Sequence, residues 1–93
     1  MRPRWSERAR DDLKAIGRFI ARDNPSAARS FVAHLQDRAR RVARTPRAGR
    51  VVPEFMREDI REVFVGNYRV IYALRAKKVE VLTVLEGHRL LTF

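Results

Sequence analysis

Apolar residues in the first half of the chain recur at helical spacing. Ala9, Leu13, Ile16 and Ile20 follow one another at intervals of four, three and four, with Phe19 alongside. That stripe predicts an amphipathic helix of about four turns. Ser6 stands where an N-cap is needed, and Glu7, Asp11 and Asp12 put negative charge near the positive end of the helix dipole. Gly17 lies inside the stripe, where it costs about 1 kcal/mol relative to alanine, so a close helix contact is expected there. Asp23-Asn24-Pro25 ends the helix, because proline disfavours a helical residue before it and suits the first position of the next helix. With Asn24 as its N-cap, a second stripe follows: Ala28, Phe31, Val32, Leu35, Ala39 and Val42. This second helix is predicted to run to Ala43 and to end before Thr45-Pro46. So short a connection predicts an antiparallel helical hairpin over residues 6–43. His34, beside the second stripe, reads as a half-buried structural histidine.

Beyond the loop Arg44–Gly49 the pattern changes. Ile60–Val65, Tyr68–Leu74 and Val79–Leu85 are rich in β-branched and aromatic residues. They are separated by Gly66-Asn67, a pair suited to two-residue hairpins, and by a turn near Ala76-Lys77. The result is a three-stranded antiparallel meander over residues 60–86, with Arg50–Val52 or residues 1–5 available as an edge strand. If Gly66-Asn67 is the turn, Val65 pairs with Tyr68, Phe64 with Arg69, Val63 with Val70, Glu62 with Ile71 and Arg61 with Tyr72. One face then carries Arg61, Val63, Val65, Tyr68, Val70 and Tyr72. The other carries Ile60, Glu62, Phe64, Arg69, Ile71 and Ala73. Both faces are largely apolar, whereas a half-exposed antiparallel sheet should alternate cleanly. One helical hairpin covers one face, so the other is expected to need a partner. The predicted architecture is α+β: an N-terminal antiparallel helix hairpin packed on a C-terminal antiparallel sheet of three to four strands, a single domain over residues 1–93.

Composition narrows the chemistry. There is no cysteine, which removes disulfides and thiolate metal sites. The two histidines, His34 and His88, do not form a zinc motif. No apolar run approaches the roughly 18 residues a membrane span needs, and no signal core follows Met1-Arg2-Pro3-Arg4-Trp5. A cytoplasmic protein without metal, cofactor or membrane contact is therefore expected. The formal net charge is +10, and it is unevenly placed. Residues 1–50 hold fourteen bases and five acids; residues 51–93 hold seven and six. Six arginines fall within residues 36–50, opposed there by Asp37 alone. Such a field favours an acidic or polyanionic partner and makes binding salt-sensitive. That stretch has no interleaved aromatic for base stacking, so nucleic-acid binding through it would be driven by phosphates and unspecific.

The ordered set Trp5-Ser6, Ala9, Asp12-Leu13, Ile16; Asn24-Pro25, Ala27-Ala28; Pro46, Gly49-Arg50, Pro53-Glu54; Ile60-Arg61-Glu62; Gly66, Tyr68-Arg69-Val70, Tyr72; Val84-Leu85, Gly87 and Arg89 resembles the ParE/RelE superfamily of bacterial toxins. The resemblance spans nearly the whole chain. It implies a type II toxin held inactive by a cognate, ParD-like antitoxin with an acidic C-terminal segment, as a hetero-oligomer.

The superfamily divides by mechanism. RelE-like members cut messenger RNA on the ribosome. Their reaction needs a proton acceptor, a proton donor and cations for the phosphorane charge. By resemblance, Arg69 and Arg89 match cationic positions of that site. The paired lysines of the nuclease pattern are replaced by Ile60-Arg61-Glu62-Val63, and its C-terminal tyrosine is absent. Arginine is a poor general base, which leaves Glu62 and His88 as an acid–base pair, with Arg61 nearby. Glu62 also reads as a diagonal salt-bridge partner of Arg69. ParE-like members have a longer helical hairpin and poison DNA gyrase by protein–protein contact. The long helices, and Ser6, Ala9, Asp12-Leu13 and Ile16 at the start of the first, resemble that branch. The expectation is thus a ParE-like gyrase inhibitor with no catalytic residues, the alternative a ribosome-dependent endoribonuclease. Candidate partner contacts are Arg38, Arg41, Arg44, Arg47, Tyr68, Tyr72 and Arg89.

Overall fold

The computed structural model describes residues 2–89. Its element order is β1 (Arg4–Trp5), α1 (Glu7–Ala21), α2 (Pro25–Arg44), a 3-10 turn at Pro46–Ala48, β2 (Arg50–Val51), β3 (Ile60–Val65), β4 (Tyr68–Leu74) and β5 (Val79–Glu86). This is an α+β fold, two helices followed by a mostly antiparallel sheet.

Side chains close both helix starts. Ser6 Oγ accepts from Ala9 N–H at 3.0 Å and Asn24 Oδ1 from Ala27 N–H at 3.0 Å. Ser6 does more: its hydroxyl donates to the Leu82 carbonyl and its N–H to that of Val81. The first helix is thereby tied to β5 at the residue that starts it. The hairpin is tight at Gly17, where a β-carbon would lie 3.3 Å from Val32 Cγ2.

The sheet order is β1-β5-β4-β3-β2. The β3–β4 register is the one read from the turn, Val65 opposite Tyr68 through Ile60 opposite Ala73. Gly66 takes a φ of +57°, as the first residue of a primed turn requires. The sheet has five strands, more than the three to four expected, because both candidate edges pair. Arg50 and Val51 pair antiparallel with β3, and Arg4 and Trp5 pair parallel with β5. Between β4 and β5 the register shifts, so that Ile71 faces Thr83 and Tyr72 faces Val81. At this bulge Asp12 of α1 reaches in. Its Oδ2 accepts from Thr83 Oγ1 at 2.5 Å and from Val84 N–H at 3.0 Å.

The core lies on both sides of the sheet. On the helix side Ala9, Ile16, Leu35, Ala39 and Val42 pack on Val63, Val65, Val70, Tyr72, Val81 and Val84. On the opposite side Val52, Ile60, Ile71, Ala73 and Leu85 form a second buried cluster, with Phe55 and Leu82 against it. This overturns the expectation of a bare second face. The segment between β2 and β3 folds back across it, carrying Val52 and Phe55; among the described residues, Phe64 of the face and Met56 of the covering segment stay exposed. His34 is a second correction: it is exposed, because the stripe on α2 is narrower than the helix. No helix among the described residues is long and apolar enough to cross a membrane.

Candidate functional site

Alternation along β3 and β4 puts Glu62, Phe64 and Arg69 on the face away from the helices. Arg69 lies diagonal to Glu62, and its Nε donates to Glu62 Oε1 at 2.7 Å. Its terminal nitrogens grip Glu54 from the loop, Nη1 to Oε2 and Nη2 to Oε1, each at 2.8 Å. Nη1 also donates to the Arg89 carbonyl at 3.2 Å. Glu62 Oε2 takes a second cation, Arg50 of β2. Glu62 is 1 % exposed and Arg69 4 %. Four residues from β2, the loop, β3 and β4 therefore form one alternating chain of charges, Arg50–Glu62–Arg69–Glu54. Glu54, ahead of Glu62, holds the Arg69 guanidinium protonated far above its ordinary range, against the opposing effect of burial. The sequence singled out the Glu62–Arg69 pair. The roles of Arg50 and Glu54 were not legible, because their contacts depend on how the loop folds back.

This cluster floors a depression of about 370 Å³ lined by Arg50, Pro53, Glu54, Arg69, Gly87, His88 and Arg89. Three candidates for phosphate chemistry, Arg69, His88 and Arg89, thus share one surface. They are not equally free. Arg69 is committed to two carboxylates, and Glu62 lies beneath it, held by two guanidiniums. His88 is exposed, with Nε2 3.6 Å from Glu86 Oε2. Arg61 is elsewhere, because alternation sends it to the other face. There its guanidinium donates to the Gly49 and Arg47 carbonyls and to Glu58.

The two tyrosines differ. Tyr72 is fully buried. Its hydroxyl donates to the Pro46 carbonyl at 2.6 Å and accepts from Gly49 N–H at 3.1 Å, so it anchors the loop after α2 instead of meeting a partner. Burial pushes its pKa above the ordinary tyrosine range. Tyr68 is half-buried at the other end of β4, its ring 5.5 Å from that of Phe31. Burial, and then nearby Glu86, raises its pKa too.

The arginines of α2 and its following loop also divide. Arg41 and Arg44 are exposed, while Arg38 is half-buried. Arg47 is exposed, with Nη1 3.9 Å from Glu58 Oε2. It stands beside a crevice of about 460 Å³ walled by Ala43, Pro46, Ala48, Leu74 and Val79 and flanked by Arg75, Lys77 and Lys78. The arrangement offers a cationic exterior and an internally neutralised ionic cluster.

Comparison with known proteins adds a family. A family model described as the ParE toxin of the type II toxin-antitoxin system, parDE, matches residues 4–91. A protein of Sinorhizobium fredii (strain NBRC 101917 / NGR234) named "Putative toxin Y4kP" is 34 % identical over 89 residues, covering 95 % of this chain and 90 % of its own. Among solved structures, a chain described as the chromosomal ParDE TA system from P. aeruginosa matches with a TM-score of 0.73 at 19 % identity. The match covers 92 % of this chain and 95 % of that one.

Proposed function

We propose, from the premise that this chain belongs to the ParE toxin family of type II toxin–antitoxin systems, that it inhibits DNA gyrase by protein–protein contact and is neutralised by a cognate antitoxin. The supporting observation is the closed ionic cluster. A nuclease of this superfamily needs free cations and a proton carrier around the scissile phosphate. Here Arg69 spends four hydrogen bonds inside the protein. Glu62 is buried between two arginines. Arg61 faces the wrong side of the sheet. The exposed arginines, Arg41 and Arg44 among them, are accessible to another macromolecule, which supports the protein–protein reading. An antitoxin with an acidic C-terminal segment complements a surface of net charge +10.

Two assays on the purified chain test this. Gyrase supercoiling should be blocked in proportion to added toxin, and ribosome-bound messenger RNA should remain intact. Site-specific transcript cuts that disappear in His88→Ala would replace the gyrase reading with the endoribonuclease one. His88 suits this control because it is exposed and supports no core contact.

A further inference from the structure

The arginine-rich stretch 36–50 carries no aromatic residue on which a base could stack. The fold supplies one. Arg2 and Pro3, which precede β1, and Trp5 of β1 line a groove of about 460 Å³ together with Gln36 and Arg40 of α2. Trp5 is half-buried, packed against the helix-side core while lining this groove. Its carbonyl accepts from Arg10 Nη1 at 2.9 Å, which adds a third guanidinium to the neighbourhood. Arg40 is exposed, and its nearest acid is Asp37 at 3.8 Å, a loose pair on the helix surface. Gln36 is exposed, with an amide that can both donate and accept.

An indole packed against the protein core that lines one groove with an amide and two arginines is the composition that reads single-stranded nucleic acid. Bases stack on the aromatic face, and guanidiniums take the flanking phosphates in bidentate geometry. The volume lies in the range of small-ligand sites. An acidic peptide would use the arginines but would give the indole no planar partner. A duplex presents phosphates but keeps its bases stacked on each other. We propose that this groove binds an unpaired nucleotide of a single-stranded nucleic acid, its base on Trp5 and its neighbouring phosphates on Arg2 and Arg40. This goes beyond the proposed inhibition of gyrase and requires neither gyrase nor an antitoxin.

The chain has one tryptophan, so its fluorescence reports the groove directly. The full chain is titrated at low salt with ten-nucleotide oligodeoxyuridylate and oligouridylate. Saturable quenching by either supports the site, and the pair shows whether the sugar matters. Arg40→Glu should weaken binding at least ten-fold. Arg22→Glu, the same charge change on an exposed residue outside the groove, should stay within about two-fold of the parent. Gln36→Ala should weaken binding several-fold without altering the fold. Absence of quenching would overturn the proposal. So would equal quenching by a duplex of the same length or by polyglutamate, or equal losses in Arg40→Glu and Arg22→Glu, since each would mean attraction by bulk charge alone.

Discussion

At the scale of single residues, the buried charges carry the sharpest consequences. Glu62 neutralises two guanidiniums at once, one of them almost wholly buried. Removing it leaves Arg69 with an uncompensated charge on that side, a situation that costs about 3–5 kcal/mol. Glu62→Ala should therefore lower the denaturant midpoint strongly, and Glu54→Ala less, since Glu54 sits nearer the surface. Tyr72 is a second case. Its raised pKa means that the folded protein holds the phenol proton more tightly than the unfolded chain does. That contribution is fully present below the unfolded pKa of about 10 and is lost as pH rises through the folded value. Thermal unfolding should shift downward above about pH 10. Tyr72→Phe should flatten that alkaline limb, with Tyr68 accounting for the remainder, while costing about 1–3 kcal/mol at neutral pH for its unpaired Gly49 and Pro46 groups. Gly49 has no room beside it. A β-carbon there would lie 2.2 Å from the Tyr72 hydroxyl and 2.7 Å from the Glu62 carbonyl, so Gly49→Ala should destabilise by about 1–3 kcal/mol through overpacking.

At the scale of elements, local chemistry and long-range contact separate. The helix ends follow from Ser6 and Asn24, and the caps sit on those residues. Asn24→Ala should cost about 1 kcal/mol, read as a few degrees of melting temperature. Ser6→Ala should cost more, because the same hydroxyl also holds the Leu82 carbonyl of β5. The hairpin register was legible because a two-residue turn leaves one pairing and alternation assigns every side chain to a face. What the second face does was not legible. The segment 52–59 has no periodic pattern, yet Val52 is fully buried and Phe55 packs against the cluster it belongs to. The bulge in β5 was equally hidden, since the side chain that bonds beside it, Asp12, lies seventy-one positions away from Thr83.

At the scale of the whole molecule, a surface charge of this size governs encounters. Association with an acidic antitoxin should be fast at low salt and slow as salt is added, with dissociation much less affected. An antitoxin that binds only the folded form raises the stability by about 2.7 kcal/mol at a hundred-fold excess over its Kd. Adding the cognate antitoxin should thus raise the melting temperature in a concentration-dependent way. An unchanged value would count against that partner. With all of the second face but Phe64 largely covered, the isolated chain does not depend on such a partner to bury most of its apolar sheet, contrary to what its two apolar strand faces imply.

The sequence by itself determined the helix hairpin, the meander, the turn and the Glu62–Arg69 pair. Each of these follows from neighbours within a few positions or from pairing dictated by a tight turn, where backbone geometry leaves few choices. The tertiary structure alone decided three things: that residues 52–59 fold across the second face, that Arg50 and Glu54 complete a buried chain of charges, and that Trp5 lines one groove with Gln36 and Arg40. These are contacts between segments joined by no local rule. They are selected by which surfaces can be buried together with every buried charge paired, a condition only the assembled molecule can satisfy.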